Sequence, residues 1–268
     1  MASLAARGFS VAADAYERSR PDYPAAAIEL LAHRLDLRPG RTVIDVGAGT
    51  GRLTRLLLPT GARLMALEPV AEMRAKLVAT TPGAEALEGI AEAVPLPDAS
   101  IDAVVCAQAF HWFDAPRALA ELHRVLRRDS WLVLMWNVRD ESVPWVKAMG
   151  DLVANLQETI PRHQEDAWRP VVDETRWFAY LETTSFQHGQ VLSPDGVLDR
   201  LASMSVVAAE TPEVRAALMA AVGDVLRTDP DTAGRDEIIL PYTTELHWLR
   251  RLDGADRIGE GTNRDDAR

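Results

Sequence analysis

Residues 42 to 51 read Thr42-Val43-Ile44-Asp45-Val46-Gly47-Ala48-Gly49-Thr50-Gly51, and this stretch decides the fold. Val43, Ile44 and Val46 are β-branched, as a strand buried on both faces prefers. The three glycines that follow let the backbone turn tightly and approach a ligand that any Cβ would obstruct. Beyond them Leu53, Leu56 and Leu57 recur at helical spacing, so the turn feeds a helix amino terminus. Strand, glycine turn and helix start in succession form the nucleotide-binding unit of doubly wound α/β folds.

The spacing chooses among ligands. A dinucleotide fingerprint needs glycine at the sixth position of G-x-G-x-x-G, and Arg52 stands there; the pattern is G-x-G-x-G. Asp45, two residues before the first glycine, reads as a support for the glycine loop rather than a direct ligand contact. Glu68 closes a second apolar strand, residues 62–67, where a carboxylate reaches a ribose and accepts hydrogen bonds from both vicinal hydroxyls.

With Ala66-Leu67-Glu68-Pro69 following it, the glycine stretch resembles the cofactor site of class I S-adenosylmethionine-dependent methyltransferases, in particular a small-molecule branch similar to the ubiquinone-pathway enzymes (methyltransferase type 11). The resemblance continues through Glu88-Gly89-Ile90-Ala91-Glu92-Ala93-Val94-Pro95-Leu96-Pro97, Cys106-Ala107-Gln108-Ala109-Phe110-His111-Trp112 and Arg124-Val125-Leu126. These blocks stand in the family's order, so the likeness is specific over residues 42–137 and looser on either side. It implies a Rossmann-like α/β fold: a seven-stranded, mostly parallel sheet with helices on both faces and an antiparallel last strand. S-adenosyl-L-methionine would be the cofactor and S-adenosyl-L-homocysteine its product. By the same resemblance Gly47, Ala48, Gly49 and Gly51 cradle the cofactor with Glu68 and Pro69. Ile90, Ala91 and Glu92 read its adenine, Gln108 and Ala109 orient its methionine moiety or the strand end, and Tyr16 and Arg20 lie near the methionine carboxylate. Met73 either covers one face of the adenine or fills the core.

Composition narrows the partners. At 268 residues the chain is long enough for a large core, and its net charge of -11, with no block of basic residues, argues against nucleic acid. The lone Cys106 excludes internal disulfides and sits in an apolar strand as a small core residue. No apolar run approaches a membrane span and no signal peptide opens the chain, so a soluble, cytoplasmic monomer or homodimer acting on a small molecule is expected. The histidines are scattered at spacings with no metal pattern.

The chain divides into an amino-terminal cap and first helix (1–40), a cofactor-binding core (41–137), an insertion rich in Trp145, Trp168, Trp177 and Phe178 (138–184), a carboxyl-terminal part of the sheet (185–252) and a polar tail (253–268). Helices are expected over 25–37, 70–80, 195–207 and 212–228, and strands over 84–87, 101–107, 131–136, 185–192 and 237–246. Arg127-Arg128-Asp129-Ser130 reads as a turn. The insertion is expected to act as a substrate lid, its aromatics suggesting a hydrophobic acceptor or else forming the lid's own core. The chemical choice lies in the aromatic stretch leaving the fourth strand. His111 is either a general base for a hydroxyl acceptor or a pocket-wall residue, and Trp112 either donates its indole N–H to an acceptor oxygen or packs. Carboxylate O-methylation is the favoured reaction. Phenolic O-, N- or C-methylation, and a cofactor-binding protein that promotes a rearrangement, stay open.

Overall fold

Alternation along the central strands sorts their side chains into two cores, one on each face of a seven-stranded sheet. The computed structural model describes residues 20–154 and 168–253. The strands are β1 (Thr42–Val46), β2 (Arg63–Leu67), β3 (Glu85–Leu87), β4 (Ile101–Ala107), β5 (Leu126–Arg139), β6 (Phe178–Leu192) and β7 (Ile238–Arg251), in the spatial order β3-β2-β1-β4-β5-β7-β6. Strands β1 to β5 pair in parallel, and β7 runs antiparallel to both β5 and β6. The order reverses beside β1, which is where an open α/β sheet forms its ligand crevice.

Helices α1 (Ala25–Arg34) and α2 (Arg52–Leu57) cover one face, burying Ala27, Leu31, Leu53 and Leu57 against Val43, Val105 and Met135. Helix α3 (Ala71–Thr80) follows β2. On the opposite face α4 (Ala115–Val125) lays Ala118, Leu119, Leu122 and Val125 on Ile44, Val104 and Leu134. At about 25 cal/mol per Å² of apolar area, each buried leucine there contributes on the order of 2 kcal/mol. Helix α5 (Pro144–Ala154) and α6 (Arg169–Thr175) lie between β5 and β6, and α7 (Pro194–Ala202), α8 (Ser205–Ala208) and α9 (Pro212–Thr228) lie between β6 and β7. Residues of α5, α7, α8, α9 and the start of β7 form a third core that includes Trp145, Met149, Leu201, Val222 and Tyr242.

Several elements run differently from the sequence reading. The first helix stops at Arg34 because Asp36 takes a left-handed conformation (φ 51°), although Leu37 still reaches the core. Residues 127–130 are a bulged continuation of β5 and not a turn: the pairing skips between Ile101 and Ala103, and Asp129 (φ 57°) absorbs the kink. Strand β6 begins at Phe178 and β7 runs on to Arg251, so residues 138–139 and 178–184 of the expected insertion are strand. The helix expected over 195–207 breaks where Ser203 Oγ donates to the Arg200 carbonyl at 2.7 Å, leaving α7 and α8.

Candidate active site

The carboxyl ends of β1, β2, β4 and β5 open on one cavity of about 1020 Å³. Its floor is the glycine turn, tied to the second strand by Gly47 N–H and Ala48 N–H, which donate to the Leu67 carbonyl at 2.9 and 3.1 Å. Glu68 fixes the turn from the side: Oε2 accepts from Gly49 N–H at 2.8 Å and Oε1 from Val70 N–H at 2.9 Å. Burial lifts the Glu68 carboxyl above its ordinary value, against the pull of those two amides and of Arg74. Each oxygen retains a lone pair for a ligand hydroxyl.

The glycines divide by what lies beside them. Gly49 (φ 58°) has open space where a Cβ would stand and lines the cavity, as a backbone that must touch a ligand does. Gly51 (φ 82°) is not on the cavity wall; a Cβ there would lie 2.9 Å from Thr81 Oγ1 and 3.0 Å from Leu77 Cγ, so its role is close packing of α2 on α3.

Asp45 lines the cavity, and Thr54 Oγ1 donates to its Oδ2 at 2.7 Å, tying β1 to α2. The direct bond to the glycine turn is Glu68's, while Asp45 joins the strand before the turn to the helix after it. Asp45 Oδ1 is buried with no hydrogen-bond partner among the described residues, and burial pushes the carboxyl up to about 7.

Arg20, Pro69, Met73, Ile90, Ala91, Glu92, Gln108, Ala109, His111 and Trp112 all line this cavity, while Tyr16 lies outside the described residues. Met73 is buried and Ile90 is 44% exposed, an apolar surface left facing the cavity. Glu92 Oε1 accepts from Asp114 N–H at 2.7 Å, so the expected adenine-reading acid also holds the start of α4. Gln108 leaves β4 in a left-handed conformation (φ 58°), its N–H donating to the Met135 carbonyl at 2.8 Å; such strain in a non-glycine residue concentrates at functional sites. His111 and Trp112 follow in a single 3-10 turn, their rings 4.9 Å apart.

Beyond β4 the wall is mixed. Its polar members are Asn137, Arg139, Asp140, Glu141, Arg200 and Tyr242, set beside apolar Val138, Val153, Met204 and Val206, and sequence reasoning missed them all, because β5 continues past Trp136 and α7 is remote in sequence. The insertion's aromatics do not face this cavity: Trp145 belongs to the third core and Trp168 and Phe178 to the sheet core, while the aromatics on the wall are Tyr23, Trp112, Phe113 and Tyr242. Among the described residues no group of three or more His, Cys, Asp or Glu is placed to hold a metal, and no helix is long and apolar enough to cross a membrane.

Residues 44–134 match the family model described as a methyltransferase domain. An uncharacterised methyltransferase of Mycobacterium tuberculosis is 37% identical over 236 residues, covering 88% of this chain and 92% of that protein. The chain belongs to the class I S-adenosylmethionine-dependent methyltransferases. Among the family's members, a malonyl-[acyl-carrier protein] O-methyltransferase of Serratia marcescens is 35% identical over 182 residues, 65% of this chain and 64% of that protein. A solved structure of a candidate type II methyltransferase from Anaeromyxobacter dehalogenans superposes with a TM-score of 0.65 at 26% identity, covering 87% of this chain and 97% of that one. This methyltransferase thus has the Rossmann-like fold of its solved neighbours.

Proposed function

We propose that this methyltransferase binds S-adenosyl-L-methionine along the carboxyl edge of β1, β2 and β4 and methylates a carboxylate oxygen of a small acid, releasing S-adenosyl-L-homocysteine. The observation that carries the reading is that one cavity runs from the Gly49–Glu68 bond past the strained end of β4 to Asn137, so cofactor cradle and acceptor space share a wall. At about 1020 Å³ it stands at the top of the roughly 300–1,000 Å³ range of ligand sites.

The residues present fit the cofactor. Glu68 has lone pairs for the ribose hydroxyls, Gly49 leaves the approach open, and Ile90 and Met73 offer apolar surface to the adenine. Asp45 Oδ1 is an acceptor suited to an ammonium. Arg20 lines the cavity, and the family resemblance assigns it to the methionine end of the cofactor. When bound, the cofactor supplies a methyl group on a cationic sulfur, which keeps the bonding electron pair as the acceptor oxygen takes the methyl.

A carboxylate has a pKa near 4 and is already ionised at neutral pH, so the wall has to orient it and exclude water rather than take a proton. His111 and Trp112, beside the exit of β4, serve that orientation. The O-methyltransferase name carried by the Serratia relative supports oxygen as the acceptor atom.

The test is incubation of the full chain with S-adenosyl-L-methionine and a panel of small acids, phenols and amines, read by mass for the gain of one methyl. Methyl esters are expected. Transfer only to phenols or amines moves the acceptor atom, and binding of S-adenosyl-L-homocysteine without any transfer favours a rearrangement. His111→Ala is expected to lower kcat less than about tenfold on an acid; a loss of about 100-fold or more marks it as a base for a hydroxyl.

A further inference from the structure

The far side of the cavity holds cations without adequate counter-ions. Arg139 ends β5 and Arg200 lies in the last turn of α7; both line the cavity, and Arg200 is only 7% exposed. Nε and Nη1 of Arg200 and Nε of Arg139 are buried with no hydrogen-bond partner among the described residues. Arg139 otherwise reaches Met204 Sδ at 3.4 Å and, at 3.9 Å, the half-exposed Glu141. Tyr242 pairs with Arg139 across β5 and β7, is 1% exposed, and its hydroxyl is likewise buried without a partner among the described residues. The other acids on this wall are engaged: Asp140 accepts from Ser142, and Glu245 faces His247 at 3.3 Å.

A protein of net charge -11 has carboxylates to spare, yet it leaves two guanidinium groups and a phenol short of acceptors inside one cavity. Burying such groups unpaired is unfavourable, a cost that an incoming anion would offset. Burial and the neighbouring Arg200 charge lower the Arg139 pKa by more than Tyr242 and Glu141 raise it, so the acids at hand compensate this guanidinium only in part. Arginine pairs match the planar, two-oxygen face of a carboxylate or the oxygens of a phosphate.

We propose that Arg139, Arg200 and Tyr242 form an anchor for an oxyanion of the acceptor, a carboxylate or phosphate group distinct from the oxygen that is methylated. Met135 stands level with Gln108 at the end of β4, and Arg139 lies four residues further along β5, about 13 Å at 3.3 Å per residue. The acceptor is therefore two-ended: the anchor grips one acid group while the other is presented to the methyl donor. Guanidinium contacts on the nucleophilic oxygen itself would withdraw its charge and slow attack. The inference rests on the carboxylate reading for what is methylated, but not for what is anchored.

The test uses the full chain saturated with S-adenosyl-L-homocysteine, titrated by calorimetry with α,ω-dicarboxylates of increasing length, the matching monocarboxylates and the matching ω-phosphono carboxylates. At least one dianion is expected to bind about 30-fold tighter than its monocarboxylate, with that preference lost in Arg200→Gln and reduced in Tyr242→Phe. The tighter of the two dianion series identifies the anchored group. Should Arg200→Gln fail to fold, Tyr242→Phe, which removes only a hydroxyl, carries the test. Equal binding of mono- and dianions, or an unchanged preference in folded variants, overturns the anchor. Dianion preference without methyl ester formation keeps the anchor and removes carboxylate methylation. Methyl esters formed equally well from mono- and dicarboxylates do the reverse.

Discussion

Asp45 and Asp102 are buried acids on the neighbouring strands β1 and β4, and they answer pH in opposite senses. At Asp102, near the amino end of β4, burial raises the pKa, but Thr42 N–H, Arg127 and Arg41 outweigh it and hold the group below its ordinary 3.8. Its stabilising contribution is thus present above pH 3.8 and disappears as pH falls through the lowered folded value. At Asp45, near the carboxyl end of β1, burial dominates and raises the pKa from 3.8 to about 7. The folded chain then holds that proton more tightly than the unfolded one, so stability falls as pH rises from 3.8 to about 7 and is level above. The acid with three partners braces the sheet; the one with an unused oxygen faces the ligand. Urea denaturation of Asp45→Asn should show this: the variant should gain stability relative to wild type between pH 5 and pH 8, whereas parallel profiles would remove the assignment. The glycines offer a second separation at the same scale. Gly49→Ala puts a methyl group where the ligand approaches, at a backbone cost of about 1 kcal/mol, so it should weaken S-adenosyl-L-homocysteine binding far more than it lowers stability. Gly51→Ala drives its methyl into Thr81 and Leu77 and should lower the thermal midpoint first. Titration calorimetry beside thermal melts distinguishes the two, and the reverse ranking would contradict the division drawn between them.

Among the elements, α7 matters most for the proposed acceptor side, because it carries Arg200 to the cavity wall and Val197 and Leu201 to the third core. Leu201→Ala should cost about 3 kcal/mol of stability and raise the acceptor KM, with S-adenosyl-L-homocysteine affinity within about twofold of wild type, since the third core shares no residue with the glycine turn or the end of β2. Equal losses of cofactor and acceptor binding would mean that the two halves of the cavity are not separately supported. The elements also mark how far the sequence could be read. β4 and α9 have the bounds that their patterns predict, because each is a regular run with a clear stop. β5 was legible only in its apolar middle: Arg127-Arg128-Asp129-Ser130 has the composition of a turn, and nothing local reveals that the parallel neighbour β4 holds it as a bulged strand. β6 alternates as an edge strand only after its start: Phe178-Ala179-Tyr180-Leu181 is a continuous apolar run that carries no two-residue period to mark it as strand.

For the molecule as a whole, the half of the cavity around the glycine turn was legible and the half around β5 was not. The glycine turn, Glu68 and the β4 exit lie within one contiguous stretch whose residue types are dictated by a backbone that must approach a ligand. Arg139, Arg200 and Tyr242 come from β5, α7 and β7, brought together only by the closing of the sheet. Of the two readings of the insertion's four aromatics, a hydrophobic acceptor surface or packing, the described structure has packing: Trp145 in the third core, Trp168 and Phe178 buried in the sheet core, and Trp177 against it. The reading of the whole chain stands on a sulfonium nucleoside lying across the carboxyl ends of β1, β2 and β4. The most direct measurement is a crystal structure with S-adenosyl-L-homocysteine bound. The ribose hydroxyls are expected within hydrogen-bond distance of Glu68 and the sulfur pointing toward the His111 side of the cavity. A nucleoside bound elsewhere on the molecule, or bound at this edge without contact to Glu68, would contradict the account.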